Sequence, residues 1–177
     1  MITDTTLRFD LLSPDDATLL ADIAQRAYAD HYLHLWHDAG AWYMERCFSP
    51  AVLQRELADS NARIYLVRQD RQAVGFFKLN VDQPLKGQET ANALELERIY
   101  LIKNVTGQGI GKAVLTFVID YARQLGKELI WLKAMDTSHD AIAFYEKMDF
   151  VVCGTERLTF DVMKEEVRGM VVMQSFL

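Results

Sequence analysis

The stretch of greatest chemical interest is Leu94 to Leu115, LELERIYLIKNVTGQGIGKAVL, where a strand-like run ends in a glycine-rich turn that passes directly into a helix-like run. Glycines let the backbone approach a ligand closely, and the opening amides of a helix, having no acceptors within it, point outward as anion donors. Such a turn suits a phosphate or pyrophosphate. Two phosphate-binding patterns fail on spacing. A P-loop needs glycine five residues before its Gly-Lys pair and Ser or Thr after it, and around Gly111 and Lys112 those places hold Thr106 and Ala113. A dinucleotide fingerprint needs a third glycine three residues after the second, and after Gly107 and Gly109 that place holds Lys112. A second constellation is His31, His34 and His37, spaced by three and flanked by Asp30 and Asp38. A metal site there is geometrically conceivable, but helix-borne zinc sites more often use a spacing of four, and the neighbouring Tyr32, Leu33, Leu35 and Trp36 read as a packing or pocket wall. No metal is expected.

The elements that must position these residues follow from periodicity and punctuation. Leu7–Leu12 reads as a strand, and Ser13, Pro14, Asp15 and Asp16 open a helix to about Tyr32, with Leu19, Leu20, Ile23, Ala24, Ala27 and Tyr28 on one face. Gly40–Cys47 is helical, and Ser49-Pro50 starts a third helix through Leu57 and Ala58. Ala62–Val67 and Ala73–Val81 form an antiparallel hairpin across the polar Arg68–Gln72, and Gln83–Asn92 is a loop. Strand Ala93–Ile102, helix Gly109–Leu125, strand Glu128–Ala134, helix Asp140–Met148, a strand beginning at Phe150–Val152 and strand Met170–Phe176 complete the order. That alternation calls for a mixed α/β sheet.

Composition limits the partners. With 177 residues, half of them hydrophobic, the chain reads as a single domain over 1–177 able to bury its own core, on the usual allowance of roughly 100 to 200 residues per domain. Nineteen Lys and Arg against 25 Asp and Glu give a net charge of -6, the wrong sign for gripping nucleic acid, and a cationic or neutral substrate fits better. Cys47 and Cys153 stand far apart and read as two buried thiols in a reducing cytosol. The start MITDTTLRFDLL lacks signal-peptide features and no run reaches eighteen apolar residues, so a soluble, cytoplasmic protein without membrane partners is expected.

A third glycine pattern fits. Gln or Arg followed by x-x-Gly-x-Gly or Ala marks the pyrophosphate loop of the GNAT superfamily of acyl-CoA-dependent N-acetyltransferases, and Gly109 and Gly111 fall in its register, with Thr106 in place of the usual Gln or Arg. A second block resembles the same superfamily: its Asn-x-x-Ala-x-x-Phe-Tyr-x-x-x-Gly-Phe is matched by Ser138 through Phe150, with the Ala141–Lys147 core intact, Ser138 for Asn and Asp149 for Gly. Within it the chain resembles spermine/spermidine N-acetyltransferases of the PaiA type, through Glu95–Tyr100, Gly109–Lys112 and Ile130–Leu132; the likeness is good over about Ala62–Phe150 and loose before that. The resemblance implies a GNAT fold, a single mixed and mostly antiparallel sheet of six to seven strands flanked by four to five helices.

It also implies acetyl-CoA as cosubstrate and an amine as acceptor, a small molecule such as a polyamine being the first expectation. Amides of Gly107, Gln108, Gly109, Ile110, Gly111 and Lys112 would hold the pyrophosphate. Ile99, Tyr100 and Leu101 would pair through their backbone with the pantetheine arm. Ser138 stands where the family contacts pantetheine, and Lys147 either meets a CoA phosphate or is a solvated surface lysine. Tyr145 matches the family's general acid; the alternative is a core tyrosine of an amphipathic helix. By strict alternation Glu95, Glu97, Ile99 and Leu101 share one strand face and Leu94, Leu96, Arg98 and Tyr100 the other, which makes Glu95 and Glu97 candidate bases, at least one of which is also expected to pair with a neighbouring cation. Tyr28, Trp36, Trp42 and Tyr43 would wall the acceptor site and suit a long cationic amine through cation-π contacts. Two other readings remain open at this level: a non-catalytic CoA- or partner-binding module of the same fold, and an acetyltransferase acting on protein N-termini or lysines. A homodimer is compatible with each.

Overall fold

The computed structural model describes residues 6–177. Seven strands form one sheet in the order β1-β2-β3-β4-β5-β7-β6. They are β1 (Leu7–Leu11), β2 (Ala62–Gln69), β3 (Gln72–Asn80), β4 (Ala93–Leu101), β5 (Leu129–Met135), β6 (Val151–Arg157) and β7 (Gly169–Phe176). Every neighbouring pair is antiparallel except β4 and β5. Helices α1 (Ala17–Tyr32), α2 (Ala41–Phe48) and α3 (Pro50–Leu57) pack on one face, and α4 (Ile110–Gln124) and α5 (His139–Glu146) on the other. The architecture is the one the sequence called for.

Local chemistry explains the element ends. Ser13 closes a capping box, its N–H and Oγ both donating to Asp16 Oδ2 at 2.8 and 2.9 Å, but it caps a short 3₁₀ turn over Pro14–Asp16, and α1 proper begins at Ala17. Strands β2 and β3 run further into the polar linker than its composition suggests, and the turn narrows to Asp70-Arg71, with Asp70 in the left-handed region at φ 57°. Strand alternation then builds two cores. Ile64, Leu66 and Phe76 meet Leu20, Ile23 and Phe48 beneath α1–α3, while Tyr65, Val67 and Phe77 meet Val114, Leu115 and Val118 of α4. Burying these faces is the main force that holds the helices on the sheet.

One thiol departs from expectation. Cys47 is half-buried, but Cys153 is exposed, because β6 is an edge strand that no helix covers.

Gly75 lies on β3 against the end of β4. It pairs with Leu101, and a Cβ there would run into the carbonyl oxygen of Tyr100 and come within 2.6 Å of Leu101 Cδ2. Backbone cannot step aside as a flexible side chain does. Gly75→Ala is therefore expected to lower unfolding free energy by about 1–3 kcal/mol in urea titration. It should also disturb the far end of β4, the segment that faces the cavity described next.

Candidate active site

The site is made by a parting of strands. β4 and β5 pair only from Ala93↔Leu129 to Leu96↔Leu132, after which β4 continues to Leu101 and β5 to Met135 without pairing to each other. Ile102 donates its N–H to Val74 at 2.9 Å, so alternation along the antiparallel ladder turns the peptide groups of Ile99 and Leu101 away from β3, toward the gap. A cavity of about 600 Å³ occupies that gap, reaching from Tyr145 of α5 past Glu95–Tyr100 to the aromatic wall of α1 and α2.

A bulge corrects the expected strand faces. The register passes from Lys78↔Arg98 to Leu79↔Leu96, which leaves Glu97 as an extra residue on β4. Leu94, Leu96, Ile99 and Leu101 consequently share the face toward α4, and Arg98 and Tyr100 turn to the opposite core. Glu95 and Glu97 still lie together on the cavity wall, held there by a residue that sequence reasoning did not single out. Asn80, at the end of β3, donates Nδ2 to both Glu95 Oε2 (2.8 Å) and Glu97 Oε2 (2.9 Å).

The two carboxylates differ in their surroundings. Glu97 pairs with Lys78 at 2.7 Å and Arg98 at 3.4 Å, and both cations also hold Glu56, at 3.1 and 2.8 Å. Burial pushes its carboxyl up, but Arg98, Lys78 and Asn80 together outweigh that and leave it below the ordinary value. Glu95 makes no ion pair among the described residues. Burial raises its titration; Asn80 opposes that, Glu97 adds to it, and Lys133 and Lys78, neither within ion-pair distance, oppose it more weakly. A partly desolvated carboxylate without a cationic partner is the better proton acceptor of the two.

Tyr145 reaches the same cavity from α5. Its ring packs against Phe144 and Phe150, with centroids 5.3 and 6.1 Å away, and its hydroxyl has no protein partner among the described residues. Burial holds the phenol far above its usual range, so it remains a proton donor at any working pH.

The glycine turn lies exposed before α4. Gly107 and Gly109 adopt φ of 80° and 81° with open space around them, and the N–H groups of Gly107, Gly109, Ile110, Gly111 and Lys112 find no backbone acceptor among the described residues. Ala113 is the first to bond back, to Gly109 at 3.1 Å. These outward donors at the positive end of a fifteen-residue helix fit a pyrophosphate. Gln108 departs from the expected set, since its N–H donates to the Val105 carbonyl at 3.4 Å and its side chain bonds Gln69 and Asn104; Thr106 is exposed. Asp149, where the family keeps Gly, takes φ 67°, which is the conformation that favours glycine.

The remaining expected residues divide. Ser138 immediately precedes α5 and lines the cavity; Lys147 immediately follows α5, exposed, and is not part of either wall. Tyr28, Trp36 and Tyr43 form the aromatic side as expected, whereas Trp42 stands outside it beneath Arg46, at 5.2 Å. Leu158, Phe160 and Met163 complete that side from the segment between β6 and β7, which carries no local signal linking it to Trp36. The three histidines do not converge. His31 donates Nε2–H to the Leu101 carbonyl at 2.9 Å, His31 and His34 line a neighbouring recess of about 640 Å³, and no group of three metal-ligating residues forms among the described residues.

Over 105 residues the chain is 30% identical to an uncharacterized N-acetyltransferase from the pepI 3′ region of Lactobacillus delbrueckii subsp. lactis, a match covering 59% of this chain and 61% of that relative. The PaiA N-acetyltransferase of Thermoplasma acidophilum, solved in complex with coenzyme A, superposes with a TM-score of 0.75 at 20% identity, over 97% of this chain and 99% of that one. The spermidine N-acetyltransferase SpeG of Vibrio cholerae does so with a TM-score of 0.69 at 15% identity, over 96% and 93%. Among the described residues, no helix is long and apolar enough to cross a membrane. Residues 20–150 match the acetyltransferase (GNAT) family, and the chain belongs to that family.

Proposed function

We propose that the chain, acting as one domain over residues 1–177, transfers an acetyl group from acetyl-CoA to the primary amine of a small molecule. The thioester supplies an activated acetyl group; the protein positions it and moves two protons. The free amides of Gly107, Gly109, Ile110, Gly111 and Lys112 hold the pyrophosphate, and the peptide group of Ile99 and the N–H of Leu101 give the pantetheine arm a strand edge to pair with, the Leu101 carbonyl being held by His31. Glu95, directly or through one water, takes the proton that the amine must lose to attack. Tyr145 gives its proton to the sulfur as the C–S bond breaks, and Ser138 adds a hydroxyl at the same wall. Holding both partners in one cavity supplies much of the remaining rate.

The observation that supports this reading best is that a desolvated carboxylate, an unpartnered phenol and the strand edge at Ile99, unpaired to β5, all open on one cavity. Thiol release from acetyl-CoA, followed over a panel of polyamines, amino acids, aminoglycosides and peptides, tests it. Polyamines belong on that panel because one of the similar solved structures is named a spermidine N-acetyltransferase. Saturable release that requires a small amine is expected; tight cofactor binding without turnover on any member would mark a non-catalytic module instead.

A further inference from the structure

The acceptor side of the cavity offers one unpaired charge and a row of rings. Glu97 is neutralised within its cluster with Lys78, Arg98 and Glu56, and Lys133 is paired with Glu156 at 2.8 Å. Glu95 is thus the one carboxylate of the wall without a cationic partner among the described residues. From sequence, the aromatic residues promise cation-π seats for further ammonium groups. Their arrangement removes those seats. Tyr28 stacks on Tyr43 at 4.9 Å and Tyr43 on Trp36 at 4.9 Å, with interplanar angles of 24° and 26°. Tyr32 and Phe160 continue the row at its two ends, at 5.0 and 6.1 Å and 34° each.

Rings stacked in this way cover one another's electron-rich faces and leave their edges, where the hydrogens are partly positive. Such a wall accepts a flat apolar body and offers a second ammonium only neutral tyrosine hydroxyls, of which that of Tyr28 already accepts from Trp36 Nε1–H, and no carboxylate. The adjoining recess, which shares Tyr32, Leu35, Met135 and Ser138 with the cavity, adds the imidazoles of His31, His34 and His139 against the single carboxylate of Asp140. A polycation would therefore carry unpaired ammonium groups into an apolar site, at large cost in affinity.

We infer that the acceptor is a primary amine with one ammonium group on a flat apolar body, an arylalkylamine rather than a polyamine. This rests on the acetyl-transfer reading above. The test is kcat/KM of the full chain, with saturating acetyl-CoA, on 2-phenylethylamine, hexylamine, 1,6-diaminohexane and spermidine. Hexylamine is expected to exceed its diamine counterpart by about 100-fold, since the two differ by one unpaired buried charge. 2-Phenylethylamine should exceed both. Phe160→Glu, which places a second carboxylate at the end of the ring row, should narrow the gap between hexylamine and the diamine at least about tenfold. Should the variant fail to fold, the wild-type ratio decides by itself. Equal or better turnover of 1,6-diaminohexane or spermidine overturns the inference and leaves acetyl transfer standing, as does turnover confined to peptides. Absence of turnover on every amine overturns both.

Discussion

Tyr145→Phe is expected to lower kcat by about 10²–10³-fold, with unfolding temperature and acetyl-CoA affinity nearly unchanged. The substitution deletes one oxygen. That oxygen holds no protein partner among the described residues, and the ring remains packed against Phe144 and Phe150, so neither a hydrogen bond nor core volume is lost. What disappears is a proton that burial keeps on the phenol across the working range, available to the sulfur as it leaves. Steady-state kinetics with a thermal melt on the same sample separate the two effects. A kcat within about twofold of wild type would remove the phenol from the chemistry.

Glu95→Gln should cost roughly 10²-fold in kcat at neutral pH and should also erase the acidic limb of the pH profile. The sign follows from the role of a base, which must be ionised to accept a proton, so activity falls as pH falls through its folded-state pKa. Because burial raises that pKa, the limb lies above the roughly 4.3 of a solvated glutamate. Glu97→Gln serves as the contrast. Glu97 already neutralises Lys78 and Arg98, so its loss should lower stability while keeping the limb. A profile that follows Glu97 rather than Glu95 would exchange their assignments.

Much of this site was legible in the sequence because the relevant signals are local. Gly107 and Gly109 announce a turn through the backbone freedom that their positive φ uses, Gly111 falls in the first turn of the helix, and the structure leaves all three amides free. The Ala141–Lys147 core places Tyr145 on a helix by its spacing alone. The strand faces were not legible. A bulge at Glu97 is a property of the pairing between β3 and β4, and strict alternation read from one strand puts Ile99 and Leu101 on the wrong side of it. Asn80 is hidden for the same reason, since only the register brings it to both carboxylates. The aromatic wall was half legible. Residue types at Tyr28, Trp36 and Tyr43 are visible, but whether rings offer faces or edges depends on contacts with one another and with Phe160, distant in the chain. Cys153 reads as buried until β6 is seen to be an edge.

Calorimetric titration of coenzyme A into the wild-type chain and into Gly111→Asp tests the central claim most directly. A Cβ at Gly111 meets only Phe144 Cζ, at 3.7 Å, and an acidic side chain in the first turn of α4 favours the helix, so the variant should melt at or above the wild-type temperature. The same charge faces the amides assigned to the pyrophosphate. Saturable binding to wild type, weakened at least about 100-fold in the folded variant, is the predicted result. Equal affinity in both proteins, or no heat from either, would contradict it.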